Sequence, residues 1–400
     1  MEKRQREQVF RDPVYGYISV EYNVITKIIN SSEFQRLRRV KQLAGVPMAY
    51  HGAEHSRFSH SIGAYHVATL FLNNKDLKEA LSERDKILFL ATALLHDIGH
   101  GPYSHAFEDV FKTDHEIIGT NIILNSKDLR KILDEVDLNF AEDITSIILK
   151  QNKFPLLEQL ISSQLDVDRL DYLLRDAYFC GVTYGNIDID RLIRVMRIHD
   201  GKIVFKSSGI HAIESYLISR YHMYFQVYFH RVARNYELVL EKIYLRVKDL
   251  IEENYKFMAD VRILKEILKD PSNIKYYLMI DDYYINGLVS NFKLENDYIL
   301  KTLATDFMDR RLWNYSNNES DLPKDYTETE KRYFEGKVTL QEQTYNDETK
   351  NMAEQIFILK DDLTLSTLDK ESRVINSLVD SGKQQQVKFF YRDRWKIKYL

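Results

Sequence analysis

Eight of the twelve histidines lie between His51 and His115. Within that stretch stand His60, then His96-Asp97-Ile98-Gly99-His100-Gly101-Pro102-Tyr103-Ser104-His105, then His115. Imidazole titrates near neutral pH and ligates divalent metals, and an adjacent aspartate adds a hard oxygen donor, so this pattern points to metal-centred hydrolysis. A matching carboxylate is expected from residues 164–176, where Asp168, Tyr172 and Asp176 share one helical face. Two imidazoles and two carboxylates suit a borderline-to-hard divalent cation, whether magnesium, manganese, iron or zinc, with positions left for water and a phosphate oxygen. Taken singly, a His-Asp pair is usually a hydrogen-bonded core pair and Asp-x-Asp a solvated face. The metal reading rests on their occurring together.

The elements that must position these groups are helices. Only 14 glycines and 6 prolines punctuate 400 residues, which favours long helices over many tight turns. A hairpin is predicted over 9–22, broken at Asp12-Pro13, and a helix capped by Ser31 or Ser32 runs to Leu43. Further helices are predicted over 59–72, 82–100, 116–133, 141–150, 155–180, 188–197 and 209–253. The helix over 82–100 puts His96 and His100 on one face, and Gly101-Pro102 ends it. Residues 314–337 are polar and weakly periodic, whereas 355–363 and 386–399 alternate like strands. The expectation is a mainly α protein, with a helical core over 1–290 and a smaller mixed α/β region over 291–400.

Composition narrows the partners. A net charge of −4 creates no field that would draw in nucleic acid or an anionic membrane, and the longest apolar run, Ile87 to Leu95, is too short to span a bilayer. The lone Cys180 has no intrachain disulfide partner and reads as a core residue rather than a nucleophile. A cytoplasmic protein is expected. A non-enzymatic reading, nucleic-acid binding through the basic run 35–41, is weaker on this charge balance and predicts steep salt dependence.

Three segments carry a family resemblance: Ser56-Arg57-Phe58-Ser59-His60-Ser61-Ile62-Gly63, the run His96 to His105, and Asp166-Val167-Asp168-Arg169-Leu170-Asp171-Tyr172. Together they resemble the HD-domain metal-dependent phosphohydrolases. Within these they are most similar to the deoxynucleoside triphosphate triphosphohydrolase branch, which includes the mammalian SAM and HD domain-containing dNTPase and its bacterial homologues. The resemblance runs from about Val9 to about Arg234 and continues faintly to about Ser316.

It implies hydrolysis of a dNTP to deoxynucleoside and triphosphate, with His60, His96, Asp97 and Asp168 as metal ligands. His100, His105, Glu108 and His115 would form the proton-transfer and phosphate-contacting cluster, because the departing 5′-alkoxide must be protonated. His105 is the first choice of acid and His115 the second. Arg57, Arg169, Tyr172 and Arg220 would meet phosphate, Asp176 the 3′-hydroxyl, and Gln42, Leu43 and Tyr228 the sugar, leaving no room for a 2′-hydroxyl. Phe229 stands where the mammalian relative has a glutamine.

The resemblance further implies a homotetramer stimulated by a second nucleotide, dGTP or GTP, held by Val9, Asn30, Gln35, Arg36, Arg38 and Arg310. Gln8 and Asn30 replace a lysine and a guanine-reading aspartate there. The alternative activity is an HD-type phosphodiesterase or nucleotidase acting on another phosphoester.

Overall fold

The computed structural model describes residues 3–341, 355–380 and 385–393. The chain is mainly α, with small sheets added by its C-terminal part. It opens on an antiparallel hairpin, β1 (Lys3–Asp12) and β2 (Gly16–Tyr22). Asp12 shapes the turn by accepting the backbone N–H groups of Val14 and Tyr15, and Gly16 takes a φ of 79° that a side chain would resist.

Three packed helices form the centre: Arg57–Phe71, Glu83–Leu95 and Val167–Cys180. Each begins where a short polar side chain can receive an orphan N–H: Ser56 from Ser59, Ser82 from Asp85 and Asp166 from Arg169. The third ends at Gly181, left-handed with φ 69°. Their apolar sides are wholly buried at Leu88, Leu94, Val67, Leu170 and Leu173. Among the described residues no helix is long and apolar enough to cross a membrane.

Several expected helices prove shorter. The helix expected over 82–100 stops at Leu95, and residues 96–100 descend in tight turns, with Ile98 N bonded to Leu95 O and His100 N to Asp97 O. The segment then packs closely, since a Cβ on Gly99 would lie 2.1 Å from His115 O and 2.3 Å from Gly119 N, an approach only glycine permits. His96 and His100 therefore do not share a helical face. The helix of 31–43 ends at Arg36 and tightens into a 3-10 turn over Leu37–Arg39. The 116–133 helix breaks at Ser126 and the 155–180 helix after Ile161. The long aromatic segment splits into Ile210–Met223, a π-helical turn at Tyr224–Tyr228, and Arg231–Glu252.

The helix expected over 188–197 ends at Val195 and passes into β3 (Met196–His199), paired with β4 (Lys202–Lys206). That pair is extended by β7 (Phe357–Leu359), parallel to β4, and β8 (Leu365–Thr367). A second sheet has the order β5-β9-β6, formed by Asn314–Ser316, Gln385–Tyr391 and Glu335–Gln341. Residue 290 lies within the helix Asp282–Phe292, which packs with Tyr298–Met308. The strand-like run expected over 386–399 is described only to residue 393; its remainder lies outside the described residues.

Candidate active site

His60 projects from the first turn of the helix Arg57–Phe71, His96 and Asp97 follow the end of Glu83–Leu95, and Asp168 sits in the first turn of Val167–Cys180. Their donor atoms converge. His60 Nε2 lies 3.1 Å from Asp168 Oδ1, 3.6 Å from Asp97 Oδ2 and 3.3 Å from His96 Nε2. His96 Nε2 lies 3.4 Å from Asp97 Oδ1 and 3.5 Å from Asp168 Oδ1. A divalent cation bonded to each donor at about 2.1 Å separates neighbouring donors by about 3.0–3.4 Å.

The tautomers strengthen the fit. His60 Nδ1 faces Asp171 Oδ2 at 2.8 Å and His96 Nδ1 faces the Ala93 carbonyl at 2.9 Å, so each ring spends its N–H there and turns an Nε2 lone pair towards the other. Positive charge must sit between them. Burial works against charge on His60, yet Asp168, Asp171 and Asp97 outweigh it and raise the ring to about 10, so without a cation Nε2 would carry a proton in the place the metal would fill. Burial pushes the Asp97 carboxyl up, but His96, Arg57 and His100 hold it well below the usual carboxylate range. The four residues fit a resident divalent cation.

Beside this cluster His100 and His115 stack with centroids 3.9 Å apart. Burial, with Arg57 alongside, pushes His100 down to about 4 and leaves it neutral. His115 is buried too, but its Nδ1 is 3.1 Å from Glu108 Oε1, and that carboxylate raises its pKa above the ordinary value. Of the stacked pair, His115 is the more basic. His105 begins the helix His105–Phe111, and its side chain lies outside the described residues.

A cavity of about 360 Å³ opens from Asp97, Asp168, His100 and His115 towards Gln42, Leu43, Tyr172, Asp176 and Tyr228. This volume is in the range of small-molecule sites. In its wall Asp176 is clamped, accepting from Tyr228 OH at 2.7 Å and pairing with His55 Nε2 at 2.8 Å. Gln42 Oε1 is buried with no hydrogen-bond partner.

The expected phosphate cations divide. Arg57 lines the cavity but directs its terminal nitrogens to Asp97 (2.6 Å) and Ser104 (2.7 Å). Arg169 and Arg220 stand off the cavity wall because Gln164 Oε1 draws both inward, at 3.3 and 2.8 Å. Arg220 Nε is left buried without a partner.

The activator positions are scattered. Val9 and Asn30 are exposed, and Gln35 bonds the Ile29 carbonyl and Arg38 Nε. Arg38 lies over the Phe58 ring at 3.6 Å. Arg310, at φ 54°, donates to the Met48 carbonyl. Arg36 requires correction, because it does not present a surface guanidinium. It is buried, donating through Nε to the Ile280 carbonyl and through Nη2 to the His100 carbonyl, both at 2.9 Å.

Sequence reasoning assigned no role to Asp171, Gln164, His55, Arg234 or Glu237, the last two of which line the cavity. Asp171 carried a usable signal, three positions after Asp168 on the same helix. Burial also pushes the Cys180 thiol up to about 12, which removes it as a nucleophile.

These features define a metal-dependent phosphohydrolase of the HD class. The HD domain family matches residues 57–176 and the HD associated region residues 187–278. The chain belongs to the HD-domain phosphohydrolase family.

Among its relatives, the uncharacterized protein YwfO of Bacillus subtilis is 43% identical over 78% of this chain and 72% of its own length. The deoxynucleoside triphosphate triphosphohydrolase SAMHD1 of Homo sapiens is 28% identical over 61% of this chain and 45% of its own length. A crystal structure of a phosphohydrolase from Bacteroides thetaiotaomicron superposes with a TM-score of 0.86 at 27% identity, covering 97% of this chain and 100% of that one.

Proposed function

We propose that the chain hydrolyses deoxynucleoside triphosphates to deoxynucleoside and triphosphate. The observation that carries this reading is one cavity lined both by Asp97 and Asp168 of the His-Asp cluster and by Tyr228, Asp176 and Gln42. His60, His96, Asp97 and Asp168 hold the divalent cation, which when bound polarises a phosphoryl oxygen and lowers the pKa of water. Arg57 keeps Asp97 ionised and oriented. His115, its basicity supported by Glu108, donates the proton to the departing 5′-oxygen.

Asp176 and Gln42 Oε1 accept from the sugar hydroxyl, while Leu43 and Tyr228 pack the ring and disfavour a 2′-hydroxyl. Relatedness to SAMHD1 supports the substrate class. We extend the reading to stimulation by a second nucleotide, dGTP or GTP, in a homotetramer. Val9, Asn30, Gln35, Arg38 and Arg310 are the contacts in that reading.

One observation favours a second reading, hydrolysis of a shorter phosphoester. Arg169 and Arg220 point to Gln164, so fewer cations face the cavity than a triphosphate tail calls for. Incubation with each dNTP and with mixtures, in magnesium or manganese, separates the two by product. Deoxynucleoside with intact triphosphate is expected; dNMP with pyrophosphate, or orthophosphate alone, supports the second reading.

A further inference from the structure

Behind His60 runs a chain of buried charges that does not reach the cavity. Asp171 Oδ2, which meets His60 Nδ1 at 2.8 Å, also meets Arg175 Nε at 2.9 Å, and Asp171 Oδ1 meets Arg175 Nη2 at 3.0 Å. Arg175 Nη1 then reaches Asp12 Oδ2 at 2.8 Å, 163 residues away in sequence. Asp171 and Arg175 are fully buried and Asp12 is 6% exposed. The other oxygen of Asp12 shapes the turn of the β1–β2 hairpin.

The helix Arg57–Phe71 makes room for this chain at Gly63, where a Cβ would lie 1.9 Å from Asp171 Oδ1 and 2.2 Å from Arg175 Nη2. Buried charges of this kind seldom stabilise a fold more than apolar residues of equal volume would. Their orientation supplies the purpose. Arg175 grips both oxygens of Asp171, leaving one geometry in which Asp171 accepts the His60 N–H and aims Nε2 at Asp97 and Asp168. Two carboxylates against one guanidinium also leave a net negative charge behind the imidazole, which strengthens it as a donor.

We propose that Asp12 and Arg175 are positioning residues for the metal centre, so that docking of the N-terminal hairpin sets metal affinity through Asp171 and His60. This rests on the metal-site reading, but not on the identity of the substrate.

The test uses the full chain, stripped of metal and titrated with Mn(II) followed by electron paramagnetic resonance, with the visible spectrum of the Co(II)-substituted protein alongside. Asp171→Asn is expected to weaken Mn(II) binding about 10- to 100-fold, and Asp12→Asn about tenfold with an altered Co(II) band. The double variant is expected to bind as Asp171→Asn alone does, because Asp12 acts through Asp171. Arg175→Lys, which keeps the charge but loses the fork, gives an independent reading and is expected to weaken binding likewise. Wild-type affinity and spectrum in Asp12→Asn and Arg175→Lys overturn the relay alone, as does an additive double variant. A wild-type chain that binds neither Mn(II) nor Co(II) overturns the metal reading and the relay with it.

Discussion

In the candidate metal cluster three of the four donors are held by a partner from the same chain: His60 by Asp171, His96 by the Ala93 carbonyl, Asp97 by Arg57. At the positions implied for an activator, Val9 and Asn30 face outward, Arg38 lies flat on Phe58, and Arg310 is tied to Met48. Four side chains converge within a few ångströms in the first region, whereas the second draws on the hairpin, on residues 30–38 and on Arg310. Preorganisation by one chain means that a cation meets donors already aimed, without paying to order them. The positions implied for an activator lack that closure within one chain.

The contrast is broken most directly at the metal. His96→Ala or Asp97→Ala is expected to reduce hydrolysis to background and empty the site, read by elemental analysis of the purified protein. Full activity in either variant removes the assignment.

A smaller but still large effect is expected one step out. His115→Asn should lower kcat by about 10²- to 10⁴-fold. As an acid His115 must be protonated, and Glu108 raises its pKa, so kcat should hold above pH 6.5 and fall as pH passes the raised value. Glu108→Gln removes the negative charge and should move that limb to lower pH; an unmoved limb assigns the proton elsewhere.

Arg36 and Arg38 sharpen the contrast, because they look alike in sequence and are opposites in structure. Arg36→Ala strands the Ile280 and His100 carbonyls and is expected to cost about 3 kcal/mol in urea unfolding, with loss of basal activity. Arg38→Ala gives up an exposed cation–π contact worth about 0.5–1 kcal/mol. It should abolish stimulation by a second nucleotide while metal content stays intact. Stimulation that survives Arg38→Ala counts against the activator reading.

What the sequence determined by itself was local. Ser31 could be read as a cap because its side-chain oxygen satisfies the N–H three residues on, at Phe34, and the helical class followed from the scarcity of breakers. A cluster able to hold a metal ion was also legible in the spacing, since few other uses gather so many imidazoles and aspartates into short runs.

Direction was decided by tertiary structure. Asp166, Asp168 and Asp171 lie within six residues, yet one caps its helix, one faces the donor cluster and one supports His60 from behind. Arg169 and Arg220 share the Gln164 side-chain oxygen as an acceptor, and past the helix end at Leu95 Gly99 passes closely against Gly119. The pairing of β4 with β7 joins segments some 150 residues apart. Spacing fixes which side chains share a helix face. Which face meets which depends on packing and buried partners supplied from elsewhere in the chain, whose energies exceed local preference.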